Sequence, residues 1–410
     1  MPSRRDFFRA AAILPASWTA MTTALRAATS DDSYWSMVQR QFPLEDDLIY
    51  LNAANVCPTS RPVMDRHLAF LRDFHANPSF QNRDKYVPMR ESLRGKAAKM
   101  LRVSADELAV TRNTSEGSNI IVKGVDMKAG DEVIVTAHNH PSNLDSWKVR
   151  AKRDGLVIKE LPVPIPARSS DELLGGVEKA ITSRTKVIAI THVTSTTGIL
   201  YPAKEIAALA RKRGIWMHLD GAQTFGSLDV NLKDLDPDSY STSAHKWMMG
   251  PLEAGLLYVR AERIPQLWPS IVTAGWAEDL KGARKFEVFG QRDDPRVAAL
   301  EGAVDFLMLI GMPAVESRVR TLASHAKQQL KALPSVELKT NLEAGLSGGV
   351  IKFKLRNMPS KRAYDTLWEK NRVAIALTAS GDAEGLRFSP HIYNSIDQID
   401  RAVAAVKALA

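Results

Sequence analysis

The chain has 410 residues, 45% hydrophobic and 25% charged, too long for one small core and too apolar for a disordered polymer, so two packed domains are expected. Its net charge of +9, from 55 Lys and Arg against 46 Asp and Glu, is thinly spread and lacks interleaved aromatics, which predicts no nucleic-acid partner. A single cysteine, Cys57, excludes an intrachain disulfide and any multi-cysteine zinc or iron–sulfur site.

The chain opens Ser3-Arg4-Arg5-Asp6-Phe7-Phe8-Arg9, continues with a modest apolar run and reaches Ala27-Ala28. A paired-arginine start, a short apolar middle and a small-residue end predict a cleaved twin-arginine signal peptide over 1–28. The expected partner is therefore the twin-arginine export machinery and the expected location the periplasm. The apolar run is shorter than the roughly 20 residues of a membrane span, so no stable membrane attachment is expected after cleavage. Residues 29–60 end in a strand-like piece at 49–52 and a polar loop holding Cys57, and are expected to join the smaller domain.

Helical periodicity runs through 61–76 and 88–102. From 108 onward, short β-branched runs at 108–111, 132–136, 157–161, 187–191, 215–219 and 256–259 alternate with helical stretches. This predicts a mainly parallel sheet covered on both faces, over 61–285. Ligands of such sheets bind in the loops at the strand ends. Beyond this the texture changes to helices at 295–310 and 312–332, a strand at 348–353, a helix at 359–370, strands near 373 and 385 and a helix from 395. These predict a smaller α+β domain over 286–410.

The most informative stretch is Met217-His218-Leu219-Asp220-Gly221-Ala222-Gln223, followed by Ser243-Ala244-His245-Lys246-Trp247. An acid ending a buried strand, then a lysine in a polar loop beside a hydroxyl and an imidazole, suits pyridoxal 5'-phosphate. That cofactor needs a lysine amine for its Schiff base, a carboxylate opposite its pyridine nitrogen and donors for its phosphate. Upstream, Asn113-Thr114-Ser115-Glu116-Gly117 lies between a strand and a helix, where Thr114 and Ser115 make either an anion site or a simple helix cap. His138 and His140 are two apart, but no third ligand stands at a persuasive spacing, so no metal is expected. Arg387, in Gly385-Leu386-Arg387-Phe388, offers a planar fork suited to a carboxylate or an ordinary structural ion pair.

These motifs resemble the class V aminotransferase group of fold-type I pyridoxal-phosphate enzymes, which includes cysteine desulfurases and isopenicillin N epimerase-like proteins. The resemblance spans Tyr50 to the C-terminal helix. It implies an α/β fold with a large, mainly parallel seven-stranded sheet domain and a smaller α+β domain. It implies that Lys246 carries the cofactor and that Asp220 pairs with its ring nitrogen. Gln223 and Ser195 would reach the ring oxygen, and His140, selected by alignment on Asn143 and Trp147, would stack on the ring. Thr114, Ser115, Ser243 and His245 would hold the phosphate, joined by Gln291 from the neighbouring subunit of a homodimer. Arg387 would take the substrate carboxylate, with Asn55 in a loop near the entrance.

A cysteine desulfurase needs a thiol in the segment 375–386, and none is there, so thiol-dependent desulfuration is not expected. Cys57 is expected to pack, because nothing beside it in sequence lowers its pKa. With the export signal, the chain resembles periplasmic tailoring enzymes of siderophore (pyoverdine) maturation. The expected substrate is an amino acid or an amino-acyl group of a peptide. An exported aminotransferase, a thiol-independent cystine C–S lyase and a non-catalytic binding protein are the alternatives.

Overall fold

A computed structural model describes residues 32–379 and 381–409; the expected signal peptide lies outside the described residues. In chain order the first eight strands are β1 (Ile49–Tyr50), β2 (Leu108–Thr111), β3 (Glu132–Thr136), β4 (Val157–Leu161), β5 (Thr185–Thr191), β6 (Trp216–Asp220), β7 (Ser239–Ser241) and β8 (Gly255–Val259). Seven of them form one sheet in the order β2-β8-β7-β6-β5-β3-β4. The sheet is parallel from β4 to β7, and β8 alone runs against its neighbours β7 and β2.

Side chains alternate across a strand, so a strand buried on both faces feeds two cores. Ile134, Ile188, Ile190, Met217 and Leu219 enter one of them. Val133, Val135, Val187, Ala189 and Trp216 enter the other. Because the strands are parallel, the ends Thr111, Thr136, Thr191, Asp220 and Ser241 share one edge of the sheet. The loops leaving that edge build the site.

Strand β7 has no apolar signature, since it reads Ser-Tyr-Ser. It is nevertheless fully inside the sheet, because its hydroxyls find partners there. Ser239 Oγ accepts from Trp216 Nε1 at 3.0 Å and pairs with His218 Nδ1 at 2.9 Å, while His218 Nε2 lies 3.2 Å from Ser118 Oγ. Burial pushes the His218 imidazole down to about 3, so it is neutral here.

The smaller domain holds β9 (Val336–Leu338), β10 (Ile351–Leu355), β11 (Val373–Ala374), β12 (Ala376–Thr378) and β13 (Gly385–Phe388). Four of these make an antiparallel sheet in the order β12-β13-β10-β9. Ile351, Phe353, Leu386 and Phe388 share a core with Ala326, Leu330, Leu367 and Val406 of the last three helices. β1 pairs in parallel with β11, and Asn52 bridges Ser389, so Ile49 and Leu51 enter the small core, whereas Tyr34, Trp35, Val38, Phe42, Ala53, Ala54 and Cys57 of the same N-terminal segment pack in the large one.

The boundary expected at 286 is displaced. The helix Asp294–Ile310 is buried on nearly every face and packs with the large core against Arg61–Ala76 and Tyr86–Leu101. The change of core falls inside the next helix, Met312–Lys331, where Val315 and Val319 belong to the large core and Leu322, Ala326 and Leu330 to the small one. A helix apolar on all sides must be enclosed, but its sequence does not say by which neighbours. Among the described residues no single helix is long and apolar enough to cross a membrane.

One acid shows how the sheet's far end is tied. Glu132, at the start of β3, is buried and meets Lys159 Nζ at 2.8 Å, Arg184 Nη2 at 2.9 Å and Thr182 Oγ1 at 2.6 Å. Burial pushes its carboxyl up, but the bonds from Lys159, Thr182, Arg184 and Thr185 outweigh it and bring it from 4.5 to about 2. A pKa lower in the folded state means stabilisation that is complete above the unfolded value and lost as pH falls through this window. Glu132→Gln is therefore expected to lower the urea midpoint at pH 7, with the difference from wild type closing between about pH 4.5 and 2.

Candidate active site

Asp220 ends β6 between Thr191 and Ser241. Its carboxylate is 1% exposed, accepts from the Ala222 N–H at 2.9 Å and has no cation in contact among the described residues. Burial pushes this carboxyl up, while the Ala222 N–H and the charges of Lys246 and His140 pull it back. The turn beyond must be tight: a Cβ on Gly221 would lie 2.0 Å from the Tyr240 ring.

Lys246 lies in the loop after β7, held from both sides by its neighbours. Trp247 Nε1 donates to Gln223 Oε1 at 2.7 Å, and His391 Nε2 meets the Trp247 carbonyl at 2.7 Å. A Cβ on Gly226 would strike the backbone of Trp247 and Met248, so glycine lets the two loops touch. Burial lowers the Lys246 amine, Asp220 raises it and Arg387 lowers it further. A buried amine facing a buried acid, each poorly solvated, is a reactive pair rather than a surface contact.

His140 caps the helix Pro141–Asp154, its Nδ1 accepting from the Ser142 N–H at 3.2 Å, which fixes the ring's position on the loop after β3. Burial lowers its imidazole, Lys246 lowers it and Asp220 raises it, which places it in the field of the same pair. At the helix Thr114–Gly124, Asn113 Oδ1 caps the Glu116 N–H. Ser243 Oγ accepts from the Thr114 N–H at 2.9 Å and pairs with Thr114 Oγ1 at 2.8 Å. Among the described residues the Ser115 N–H has no protein partner, and neither has the buried His245 Nδ1. Burial brings the His245 ring down to about 4. Donors without acceptors at a helix N-terminus form an anion cradle.

Arg387, on β13, closes the site from the small domain. Its Nη1 donates to the Ser195 carbonyl at 2.8 Å and its Nη2 to Asn52 Oδ1 at 3.0 Å, while Nε is buried and unpaired. No carboxylate pairs with it among the described residues. Burial brings the guanidinium down to about 10, with the Tyr50 hydroxyl opposing.

The structure thus brings Lys246, Asp220, His140, Thr114, Ser115, Ser243, His245 and Arg387 to one edge of the sheet. Four expected residues stand differently. Gln223 spends Oε1 on Trp247 and one Nε2 hydrogen on the Ala54 carbonyl, which makes it chiefly a brace. Ser195 meets Arg387 through its carbonyl, not its hydroxyl. Gln291 is exposed and accepts from Arg83 at 2.6 Å, outside this group. Asn55 is exposed on a turn, and Asn52 takes the place beside Arg387, a role created by the pairing of β1 with β11.

Two buried groups that the motifs did not single out as ligands, Thr196 Oγ1 and the whole amide of Asn143, are also without partners. Cys57 is buried, its Sγ 3.7 Å from Tyr393 Oη, and burial raises its thiol far above the usual range. That is the opposite of an activated nucleophile. Among the described residues no three His, Cys, Asp or Glu side chains are grouped to hold a metal ion.

Residues 49–402 match the Aminotransferase class-V family. The chain belongs to this family. Among its curated relatives are isopenicillin N epimerase of Amycolatopsis lactamdurans, 28% identical over 92% of this chain and 98% of that one, and that of Streptomyces clavuligerus, 28% identical over 92% and 98%. A probable cysteine desulfurase of Pyrococcus abyssi is 25% identical over 91% of this chain and 96% of that one. Solved structures share the fold. A C-DES variant with glycine covalently linked to its PLP cofactor has a TM-score of 0.83 at 21% identity, covering 90% of this chain and 98% of that one. The apo cysteine desulfurase of Thermococcus onnurineus NA1 has a TM-score of 0.82 at 22% identity, covering 91% and 97%.

The class V cofactor is pyridoxal 5'-phosphate, and the residues present fit it. The Ser115 N–H and His245 Nδ1, unpaired among the described residues, suit an anion, and the buried Asp220 carboxylate, in hydrogen-bond contact with no cation among them, suits a protonated ring nitrogen. Lys246 is the buried amine of the site. The protein is a PLP-dependent class V enzyme.

Proposed function

We propose that the protein is an exported enzyme that removes and returns the α-proton of an amino acid or of an amino-acyl group of a peptide, in epimerisation or a related tailoring of a siderophore-like natural product. The observation that carries the substrate class is Arg387, a half-buried guanidinium that has a carbonyl and an amide oxygen for partners but, among the described residues, no acid. A carboxylate presented by substrate supplies the missing charge through two parallel hydrogen bonds.

When bound, the cofactor supplies an electron sink for charge developing at the substrate α-carbon. Arg387 orients the carboxylate. Lys246, its amine biased toward the neutral form by burial, accepts the α-proton on its own face of the site, and inversion is completed by a proton delivered to the opposite face. Asp220 keeps a positive charge at the ring nitrogen's position. His140, fixed as the cap of the helix Pro141–Asp154, stands in the field of Lys246 and Asp220, where its ring can lie against the cofactor. The buried, unactivated Cys57 gives no support to thiol-dependent desulfuration.

The relatives named as isopenicillin N epimerases support epimerisation ahead of transamination. The Arg4-Arg5 start supports twin-arginine export to the periplasm in folded form. The exposed Gln291, outside its own chain's site, supports a homodimer in which it reaches the neighbouring one.

The test is to incubate holoenzyme in D2O with free amino acids and amino-acyl peptides and to read products by mass spectrometry and chiral chromatography. Epimerisation gives deuterium at the α-carbon and both stereoisomers with no other mass change. A keto acid would mark transamination instead, and pyruvate with sulfide from cystine a C–S lyase. No exchange with any of these substrates would overturn chemistry at the α-carbon.

A further inference from the structure

The small-domain sheet turns one face to its own helices and the other to the large domain. Ile351 and Phe353 of β10 enter the small core, so Lys352 between them points the other way, as does Arg387 on β13. The register sets Lys352 directly opposite Arg387, which brings their Cβ atoms to about 5 Å. On this same face Arg387 touches Ser195 of the large domain, and Thr340 Oγ1 donates to the Thr197 carbonyl at 2.6 Å.

Lys352 is 0% exposed, and its Nζ donates to the neutral Gly385 carbonyl at 2.8 Å. The acids nearby are engaged elsewhere. Glu384 gives its two oxygens to Lys354 and Ser360, and Asp382 turns its carboxylate to His138 at 3.3 Å. Burial, then the charges of Arg387 and Lys339, bring the Lys352 amine down to about 7, with Glu384 opposing. A buried and a half-buried cation side by side, with no acid paired to either among the described residues, destabilise the fold unless an anion arrives. One α-carboxylate answers only one of them.

We propose that Lys352 is a specificity-determining residue that adds a second positive charge to the Arg387 subsite and selects substrates whose side chain carries a carboxylate over the corresponding neutral amides. The proposal rests on the amino-acid reading above. Lys352 acts through its field, because it is fully buried beside Arg387 and a charge this close in a poorly solvated site is weakly screened.

The experiment titrates holoenzyme with aspartate, asparagine, glutamate and glutamine, in both enantiomers, and follows the visible cofactor spectrum to obtain dissociation constants. Wild type is expected to bind one acid at least about tenfold tighter than its amide. Lys352→Gln, which keeps a donor for Gly385 but no charge, is expected to bring that ratio to about one while leaving amide affinity within roughly threefold. Lys352→Met, with neither donor nor charge, is expected to behave alike and to melt no lower than wild type, since it removes a buried unpaired charge. Equal affinity for acids and amides in wild type, or a preference that survives both substitutions, overturns the role of Lys352 and leaves the amino-acid reading standing. No spectral change with any of the compounds would instead bring down the amino-acid reading and this proposal together.

Discussion

Lys246→Ala is expected to abolish the visible absorbance of the holoenzyme and to lower turnover by at least about ten-thousand-fold. Both effects follow from one nitrogen. Lys246 is the amine set beside the Asp220 carboxylate at the strand ends, and burial together with Arg387 lowers its proton affinity while Asp220 alone raises it. A lowered proton affinity favours the neutral, nucleophilic form of the amine, which serves as a base once freed. The variant should fold, because Ala244, Trp247 and Met248, which anchor the loop, are all buried and unchanged. It should still take up the phosphate group, since Thr114, Ser115, Ser243 and His245 are intact. Absorbance spectra before and after gel filtration, with a fluorescence titration for residual binding, separate lost linkage from lost affinity. A variant that keeps the wild-type band would remove Lys246 from the chemistry.

Much of this arrangement is legible in the sequence for a physical reason. Strands buried on both faces read as apolar runs, β-branched in β3 and β5 and Trp-Met-His-Leu in β6, so all three announce themselves, and with them the edge where Thr136, Thr191 and Asp220 end. Asp220 and Lys246 are legible because an acid in an apolar strand and a lysine in a hydroxyl-rich loop both break the local pattern. What stays hidden is whatever depends on distant pairing. β7 is silent because its serines are satisfied only by distant groups, Ser239 by Trp216 and His218 of β6 and Ser241 by His218 and by Ser118 of the helix Thr114–Gly124. Asn52 is silent because its partner Arg387 lies 335 positions away, and Asn55 of the same loop fits the sequence pattern equally well. Lys352 reads as the solvent face of a strand until the small domain closes on the large one. The helix Asp294–Ile310 is clear as a helix, yet its place in the large core depends on the helices Arg61–Ala76 and Tyr86–Leu101.

Arg387→Met is expected to lower kcat/KM by about two orders of magnitude, the scale of losing charge-assisted hydrogen bonds to a carboxylate. It should leave the cofactor spectrum unchanged, because Arg387 contacts Ser195 and Asn52 rather than the cradle around Thr114 and Ser243. Arg387→Lys should recover only part of the loss, since an ammonium restores charge without the planar fork. Stability is expected to move the other way. The guanidinium is half-buried, its buried Nε is unpaired and no acid balances it among the described residues, so methionine of similar reach removes a partly desolvated charge and should hold or raise the melting temperature. A structural strut predicts the reverse pattern. If Arg387 served only to tie Ser195 to Asn52, Arg387→Met would melt earlier while the surviving folded enzyme kept its kcat/KM. Steady-state kinetics and thermal melts on the same preparations therefore decide whether this charge is kept for the substrate or for the fold.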